Sequence, residues 1–173
     1  MDMQKRVTMK KDLERKQKLH EKAQNESLVF QTMFGAKQKY GEISTEIETR
    51  LKEEILVIKN LGIAEDLLTL KTIIDRIKQE IGYRIEPSKE ILACIYVAYC
   101  LGLEPFNPTD TQIVLNTLDF KQPIYLSICY DNEIRNKVVD WMKANGYEIS
   151  SYLGQPLLKL KKVRIVIRRV VKS

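Results

Sequence analysis

The chain has 173 residues, of which 44% are hydrophobic and 30% are charged, and its formal net charge is +6. These values are typical of one globular domain that buries a core without structural disulfides or metals, and they argue against a disordered or fibrous protein. The three cysteines form no C-x-x-C pair, and the sequence shows no signal peptide or membrane-spanning run. We therefore expect a cytoplasmic protein with reduced thiols and no membrane association.

The charges are concentrated at the two ends of the chain. Residues 1–25 hold eight Lys or Arg and four Asp or Glu, and residues 159–173 hold seven Lys or Arg and no acid. The body between them is mildly acidic. Basic ends of this kind either bind phosphates or are solvated tails that only keep the protein in solution. The charge count does not distinguish between these two alternatives.

Residues 1–26 are predicted to form a charged N-terminal arm, separate from a domain at residues 27–173. The arm is rich in good helix formers but has few large apolar residues to bury, so we expect it to be frayed or dependent on a partner. Ser27 is predicted to cap the first helix of the domain, and Gly41 to end it.

Three further helices are predicted between residues 45 and 101. Thr45 and Glu48 form a capping box for a helix that stops at Gly62, and a third helix covers about residues 64–81. Residues 91–101 carry no charge, with Ser88 as a predicted cap and Gly102 as a stop, so they predict one helix that is buried on all sides. Eleven residues are too few to span a bilayer.

The C-terminal part predicts a sheet. A short helix is expected over residues 109–118, a buried strand over residues 123–130, and a helix capped by Asp131 or Asn132 that ends at Gly146. Two strand-like segments follow, at residues 147–153 and 157–171, the second broken near residues 161–162. The predicted fold class is α/β (α+β), a mixed sheet packed with several helices after a helical N-terminal region.

A series of short motifs lies along the first two thirds of the chain. They read YGE at 40–42, RL at 50–51, VI at 57–58, LG at 61–62 and VAYCLGL at 97–103, followed by Pro108. In order and spacing they resemble the palm of the bacterial replicative C-family DNA polymerase, the DNA polymerase III alpha subunit. The resemblance extends from about Leu28 to Leu153 and implies a palm-like mixed sheet. The family's phosphate-binding glycines, however, are replaced by Glu86, Ser88 and Glu90.

The resemblance also indicates where catalytic carboxylates would lie. The family carries its metal-binding aspartates on a strand reading P-D-I-D-I-D-F, and the matching segment here begins at Pro123. Aligned on that proline, the aspartates correspond to Ile124, Leu126 and Ile128. Aligned on the following helix, they correspond to Tyr125, Ser127 and Cys129. Neither alignment supplies a carboxylate, so we expect no metal site, no cofactor and no polymerase activity.

The predicted function is therefore that of a catalytically inactive, palm-like protein that binds DNA or RNA or assists replication. Lys89 matches an arginine of the family loop, and alternation along a strand would place Arg164 and Arg168 on one face. The predicted nucleic-acid contacts are Lys89, Lys159, Lys161, Lys162, Arg164, Arg168 and Arg169. The alternative is a structural or protein-interaction module, from a mobile element or phage, that retains only the fold. The partner and the oligomeric state are left open.

Overall fold

The computed structural model describes residues 2–88, 90–108 and 123–171, so Lys89 and the helix predicted over residues 109–118 lie outside the described residues. The described part combines helices with one four-stranded mixed sheet, which confirms the predicted class. The helices are α1 (Met3–Tyr40), α2 (Thr45–Leu61), α3 (Ala64–Ile81), a 3₁₀ turn (Ile91–Cys94), α4 (Tyr96–Leu101) and α5 (Arg135–Ala144). The strands are β1 (Ile124–Asp131), β2 (Ile149–Tyr152), β3 (Gln155–Lys159) and β4 (Val163–Val170).

Helix α1 is continuous through the predicted junction between arm and domain. Ser27 lies inside it, where its hydroxyl accepts a hydrogen bond from Gln31 Nε2 at 2.9 Å, so the predicted cap at Ser27 is wrong. No glycine or proline interrupts residues 3–34, and good helix formers let the helix propagate through the arm. Gly41, at φ 71°, ends the helix as predicted. The side chains of residues 2–23 are exposed.

Helices α2 and α3 have the predicted extents. The cap of α2 is Ser44, whose hydroxyl oxygen accepts a hydrogen bond from the Ile47 N–H at 3.2 Å, and not the predicted Thr45. Gly62 ends α2 in the left-handed region, as predicted. Apolar side chains at helical spacing in both helices form the core with the sheet: Leu51, Ile55, Ile58, Leu67, Leu70, Ile73 and Ile77.

The apolar segment at residues 91–101 is interrupted. Ile95 is extended, at φ −113° and ψ 119°, between the 3₁₀ turn and α4, so the prediction of one unbroken helix is wrong. The cause is Glu54 of α2, whose carboxylate accepts hydrogen bonds from the Tyr96 and Val97 N–H groups at 3.2 and 2.8 Å. Glu54 thereby caps α4 from a neighbouring helix. None of residues 91–101 is exposed.

Helices α1 and α4 approach each other closely at Gly35. A Cβ atom at this position would collide with the carbonyl group of Cys100. The absence of a side chain at Gly35 therefore allows the backbones to make contact, and α4 is held between α1 and α2.

The strand order in the sheet is β1-β4-β3-β2, with β1 parallel to β4 and the other neighbours antiparallel. On the inner face, Ile124, Leu126 and Ile128 join the helical core. The outer face is formed by the alternate residues, which are Tyr125, Ser127, Cys129, Tyr152, Leu157, Lys159, Arg164, Val166 and Arg168.

The turn between β1 and α5 also differs from the prediction. Asp131 Oδ1 accepts a hydrogen bond from the Glu133 N–H at 3.0 Å, which closes a turn before the helix. Helix α5 begins at Arg135 with Ile134 at its cap position and no side-chain capping bond, so neither Asp131 nor Asn132 is its cap.

Candidate nucleic-acid interface on the outer face of the sheet

The outer positions of β1 are the ones where the polymerase resemblance would place catalytic carboxylates. Alignment on the proline selects residues whose side chains lie in the core, whereas alignment on helix α5 selects Tyr125, Ser127 and Cys129 on the outer face. Only the second alignment could therefore present ligands to a substrate. In this chain those positions carry a phenol, a hydroxyl and a thiol.

Ser127 is enclosed by contacts from the loop before the 3₁₀ turn. Its hydroxyl donates a hydrogen bond to Glu90 Oε2 at 2.7 Å, and it is 2% exposed. Arg168 Nε lies 2.8 Å from Glu90 Oε1 in an ion pair, although this nitrogen is buried and makes no hydrogen bond to the described residues. Glu90 thus connects β1 to β4 through these two contacts.

Two further ionisable groups are buried beside this contact. Glu104 is 2% exposed and accepts hydrogen bonds from the Ser88 N–H at 3.1 and 3.3 Å. Burial raises the pKa of Glu104 to about 7 despite the opposing effect of the Ser88 bond. Burial also raises the pKa of Cys129, and the Glu104 and Glu90 charges add to that shift. A thiol with a raised pKa stays protonated at neutral pH, so Cys129 is a poor nucleophile.

An aromatic pair covers the centre of the outer face. The rings of Tyr125 and Tyr152 stack with centroids 4.8 Å apart and planes 28° apart, although β1 and β2 are the two edges of the sheet. The twist of the sheet accounts for this, because it brings two diagonally opposite corners towards each other. Leu157 and Val166, on the strands between them, are buried, while the tyrosines are 41% and 38% exposed.

Three of the predicted cations lie on the outer face. Lys159, Arg164 and Tyr125 occupy one row of the sheet register. Arg164 Nη1 donates hydrogen bonds to the carbonyls of Leu160 and Val163 at 2.6 and 3.3 Å, and no carboxylate of the described residues lies within ion-pair distance of it. Lys159 pairs with Glu148 at 3.5 Å, and Arg168 pairs with Glu90 as described above.

The other predicted cations lie elsewhere. Lys161 and Lys162 form the turn between β3 and β4, where their N–H groups donate to the buried carboxylate of Asp66 at 3.2 and 2.7 Å. Lys161 Nζ also contacts Glu65 at 2.7 Å. Arg169 is on the opposite face of β4. Burial lowers the pKa of Arg135, and the nearby charge of Arg169 adds to that shift. The predicted cations therefore do not form one continuous surface.

Another group of cations was missed by the sequence reasoning. Lys39, Lys71, Lys78 and Arg84 line one cavity of about 450 Å³, together with Asp75 and Glu104. Lys71 is paired with Asp75 at 2.6 Å. These cations come from α1, from α3 and from the segment after α3, within a body of acidic net charge, so no local run of basic residues marks them.

The described residues contain neither a cluster of metal ligands nor a helix that could cross a membrane. The His, Cys, Asp and Glu side chains of residues 2–88, 90–108 and 123–171 form no group of three that could hold a metal ion. Within the same ranges, no helix has both the length and the apolar character that crossing a membrane requires.

Comparison with known proteins gives no assignment. No protein-family model matches the sequence, and no curated protein matches it either. The resemblance to the polymerase palm therefore stays a prediction that rests on the motifs quoted above.

Proposed function

We propose that the chain is a catalytically inactive, palm-like protein that binds single-stranded nucleic acid through the outer face of its sheet. The observation that carries the proposal is the row formed by Lys159, Arg164 and Tyr125, next to the partly exposed Tyr125–Tyr152 pair. Cations neutralise phosphates and aromatic rings stack on bases, a combination typical of proteins that bind single strands with little sequence preference.

The environment of Ser127 supports the inactive part of the proposal. A two-metal polymerase needs paired carboxylates that face the substrate. Here Ser127 and Cys129 stand at those positions, and the carboxylate beside them, Glu90, already accepts a hydrogen bond from the Ser127 hydroxyl and pairs with Arg168. In this proposal the face holds nucleic acid, as a replication or mobile-element accessory factor in the cytoplasm would, and performs no chemistry on it.

The arrangement sets the expected strength of binding. Lys159, Arg164 and Arg168 can neutralise about three phosphates, so the slope of log K against log salt on a single strand should be about −2. Stacking on the tyrosine pair should add about 1–3 kcal/mol for each stacked base. Duplex DNA should bind less well, because its bases are already stacked and cannot reach the rings.

The proposal can be tested by fluorescence anisotropy with a labelled single-stranded oligonucleotide over a range of salt concentrations. Lys159→Ser with Arg164→Ser should reduce the slope by about 1.4. Tyr125→Leu should weaken binding and leave the slope unchanged, because the ring carries no charge.

Two controls separate a specific face from general electrostatics. Arg169→Ser removes a charge from the opposite face of the same strand, and Lys78→Ser with Arg84→Ser removes two charges from the cavity lined by α1 and α3. Both should bind as the parent protein does. Absence of binding at about 50 mM salt, or equal losses in the controls, would overturn the proposal.

A second candidate is a protein-interaction module that retains only the fold. It is favoured by the exposure of two large aromatic side chains on α1, since Phe30 and Phe34 are 71% and 55% exposed. This second candidate would be supported if the protein bound no nucleic acid and if Phe30 and Phe34 were required for binding to another protein.

A further inference from the structure

Helix α1 has an apolar side that no other described element covers. Leu19, Phe30 and Phe34 are between 55% and 71% exposed. At 3.6 residues per turn, Phe30 and Phe34 lie on the opposite side of the helix from the buried Leu28 and Thr32. The body of the protein packs on one side of α1, and the large apolar residues project from the other.

We propose that this side of α1 pairs with α1 of a second copy of the chain, in an antiparallel arrangement centred between residues 24 and 25. Positions 12, 16, 19, 23, 26, 30, 33 and 37 follow the alternating four-and-three spacing of a helix–helix seam, with Leu19, Ala23, Phe30 and Met33 as its apolar members and charged residues at the other four positions. In an antiparallel pair with this centre, Leu19 meets Phe30 of the second copy.

Charge favours this register over a parallel one. In the antiparallel pair, Asp12 meets Lys37 of the second copy, and symmetry repeats the contact at the other end. In a parallel pair, Lys37 would face Lys37 and Lys16 would face Lys16. Among the described residues, Asp12 pairs with Arg15 of its own helix, at 3.4 Å, in an exposed pair that contributes little and leaves the carboxylate accessible. Met33, which lies opposite Lys16 in this register, is partly buried against the core of its own chain, so this position adds little to the seam.

The pairing also provides contacts for the arm. Residues 2–23 are exposed, and the ion pair from His20 to Glu65, at 3.1 Å, joins this part of α1 to the body. A helix of about 20 residues is marginal in water without packing. In the antiparallel pair, residues 12–24 lie against the C-terminal half of the other α1. The two bodies stay clear of each other because each covers the far side of its own helix.

The size of the seam sets the expected affinity. Residues 12–37 extend about 39 Å, and a strip about 10 Å wide on each helix gives about 800 Å² in total. This is about half the area of a standard stable interface, so the dimer should be weak, with a dissociation constant on the order of tens of micromolar.

Sedimentation equilibrium of the full chain, without nucleic acid, tests the proposal. The average mass should rise from 20.2 kDa towards twice that value as the concentration increases from about 5 to about 500 µM. Phe30→Gln should raise the dissociation constant at least about tenfold. Leu56→Gln is the matched control, because Leu56 is 59% exposed on α2, and it should leave dimerisation unchanged.

A charge exchange tests the register itself. Asp12→Lys and Lys37→Asp should each weaken the dimer by placing like charges together, and the double variant should restore it. The substituted side chains are exposed, and circular dichroism of each variant should show that the helix content is unchanged. The proposal would be overturned by a monomer at every concentration or by equal effects of Phe30→Gln and Leu56→Gln. It would also be overturned by a double variant that dimerises as weakly as either single variant.

Discussion

Substitution of Glu104 by glutamine should stabilise the protein at neutral pH. The pKa of Glu104 rises from 4.5 to about 7 on folding because the carboxyl group is buried, so the folded protein binds its proton more tightly than the unfolded chain. Stability from this group is therefore complete below pH 4.5 and is lost as the pH rises to about 7. At 1.36 kcal/mol per pKa unit, the loss is about 3 kcal/mol. In the Glu104→Gln variant, the amide would keep an oxygen that accepts the Ser88 N–H bond and would not ionise.

Urea unfolding followed by the fluorescence of Trp141, the single tryptophan, measures this effect. The variant should exceed the parent by about 1 kcal/mol at pH 5 and about 3 kcal/mol at pH 8. Glu133→Gln, at an exposed position, is the control and should follow the parent curve. Glu104 shares its surroundings with the Cys129 thiol and the cations of the neighbouring cavity, which are the same in both proteins and cancel in the difference. Parallel stability curves for parent and variant would refute the assignment of the shift to Glu104.

Four further outcomes follow from contacts described above. Gly35→Ala should destabilise by about 3 kcal/mol or more in urea titrations, because the new methyl group meets the Cys100 carbonyl, whereas helix propensity alone would give a gain of about 1. Asp66→Ala should cost about 3 kcal/mol by leaving three N–H groups at the β3–β4 turn without their acceptor, and Asp66→Asn should cost less; hydrogen exchange at residues 161–163 locates the effect. Leu101→Ala should cost about 2–5 kcal/mol, again by urea titration, because the side chain is 2% exposed. Purified protein should not extend a primed template, and calorimetry should detect no saturable Mg²⁺ site; extension that depends on Mg²⁺ would contradict the proposed inactivity.

Local signals predicted most of the helix ends. Gly41, Gly62 and Gly102 have positive φ at the ends of three helices, where the sequence placed stops, because a residue without a Cβ adopts this conformation at little cost. The strand after Pro123 was also predicted, since β-branched and aromatic residues dominate it. These features depend on a few neighbouring residues and are therefore readable from one sequence.

The wrong caps at Ser27, at Thr45 and at Asp131 or Asn132 were misread local signals, whereas other errors arose where a distant residue decides the local structure. The break at Ile95 depends on Glu54, which lies far earlier in the chain and reaches it only after α2 has packed against α4. The stacking of Tyr125 on Tyr152 depends on the twist of the whole sheet, and the pairing of Arg168 with Glu90 depends on the position of a loop. Of the candidate site, alternation along β4 predicted that Arg164 and Arg168 share a face. The same alternation places Arg169 on the opposite face, although Arg169 was included among the predicted contacts. It could not show that tyrosines cover the centre of the outer face.

The strand order has a consequence for synthesis of the protein on the ribosome. β1 ends at Asp131, and its sheet neighbour β4 ends at Val170, 39 residues later. At about 5–20 residues per second, β4 is completed about 2–8 seconds after β1. During that interval the apolar strand Ile124–Asp131 has no β4 beside it, and the bridge to Glu86 is its other backbone partner in the described fold. The nascent chain thus presents an open strand edge for seconds, a natural target for chaperones and the stage at which aggregation is most favoured.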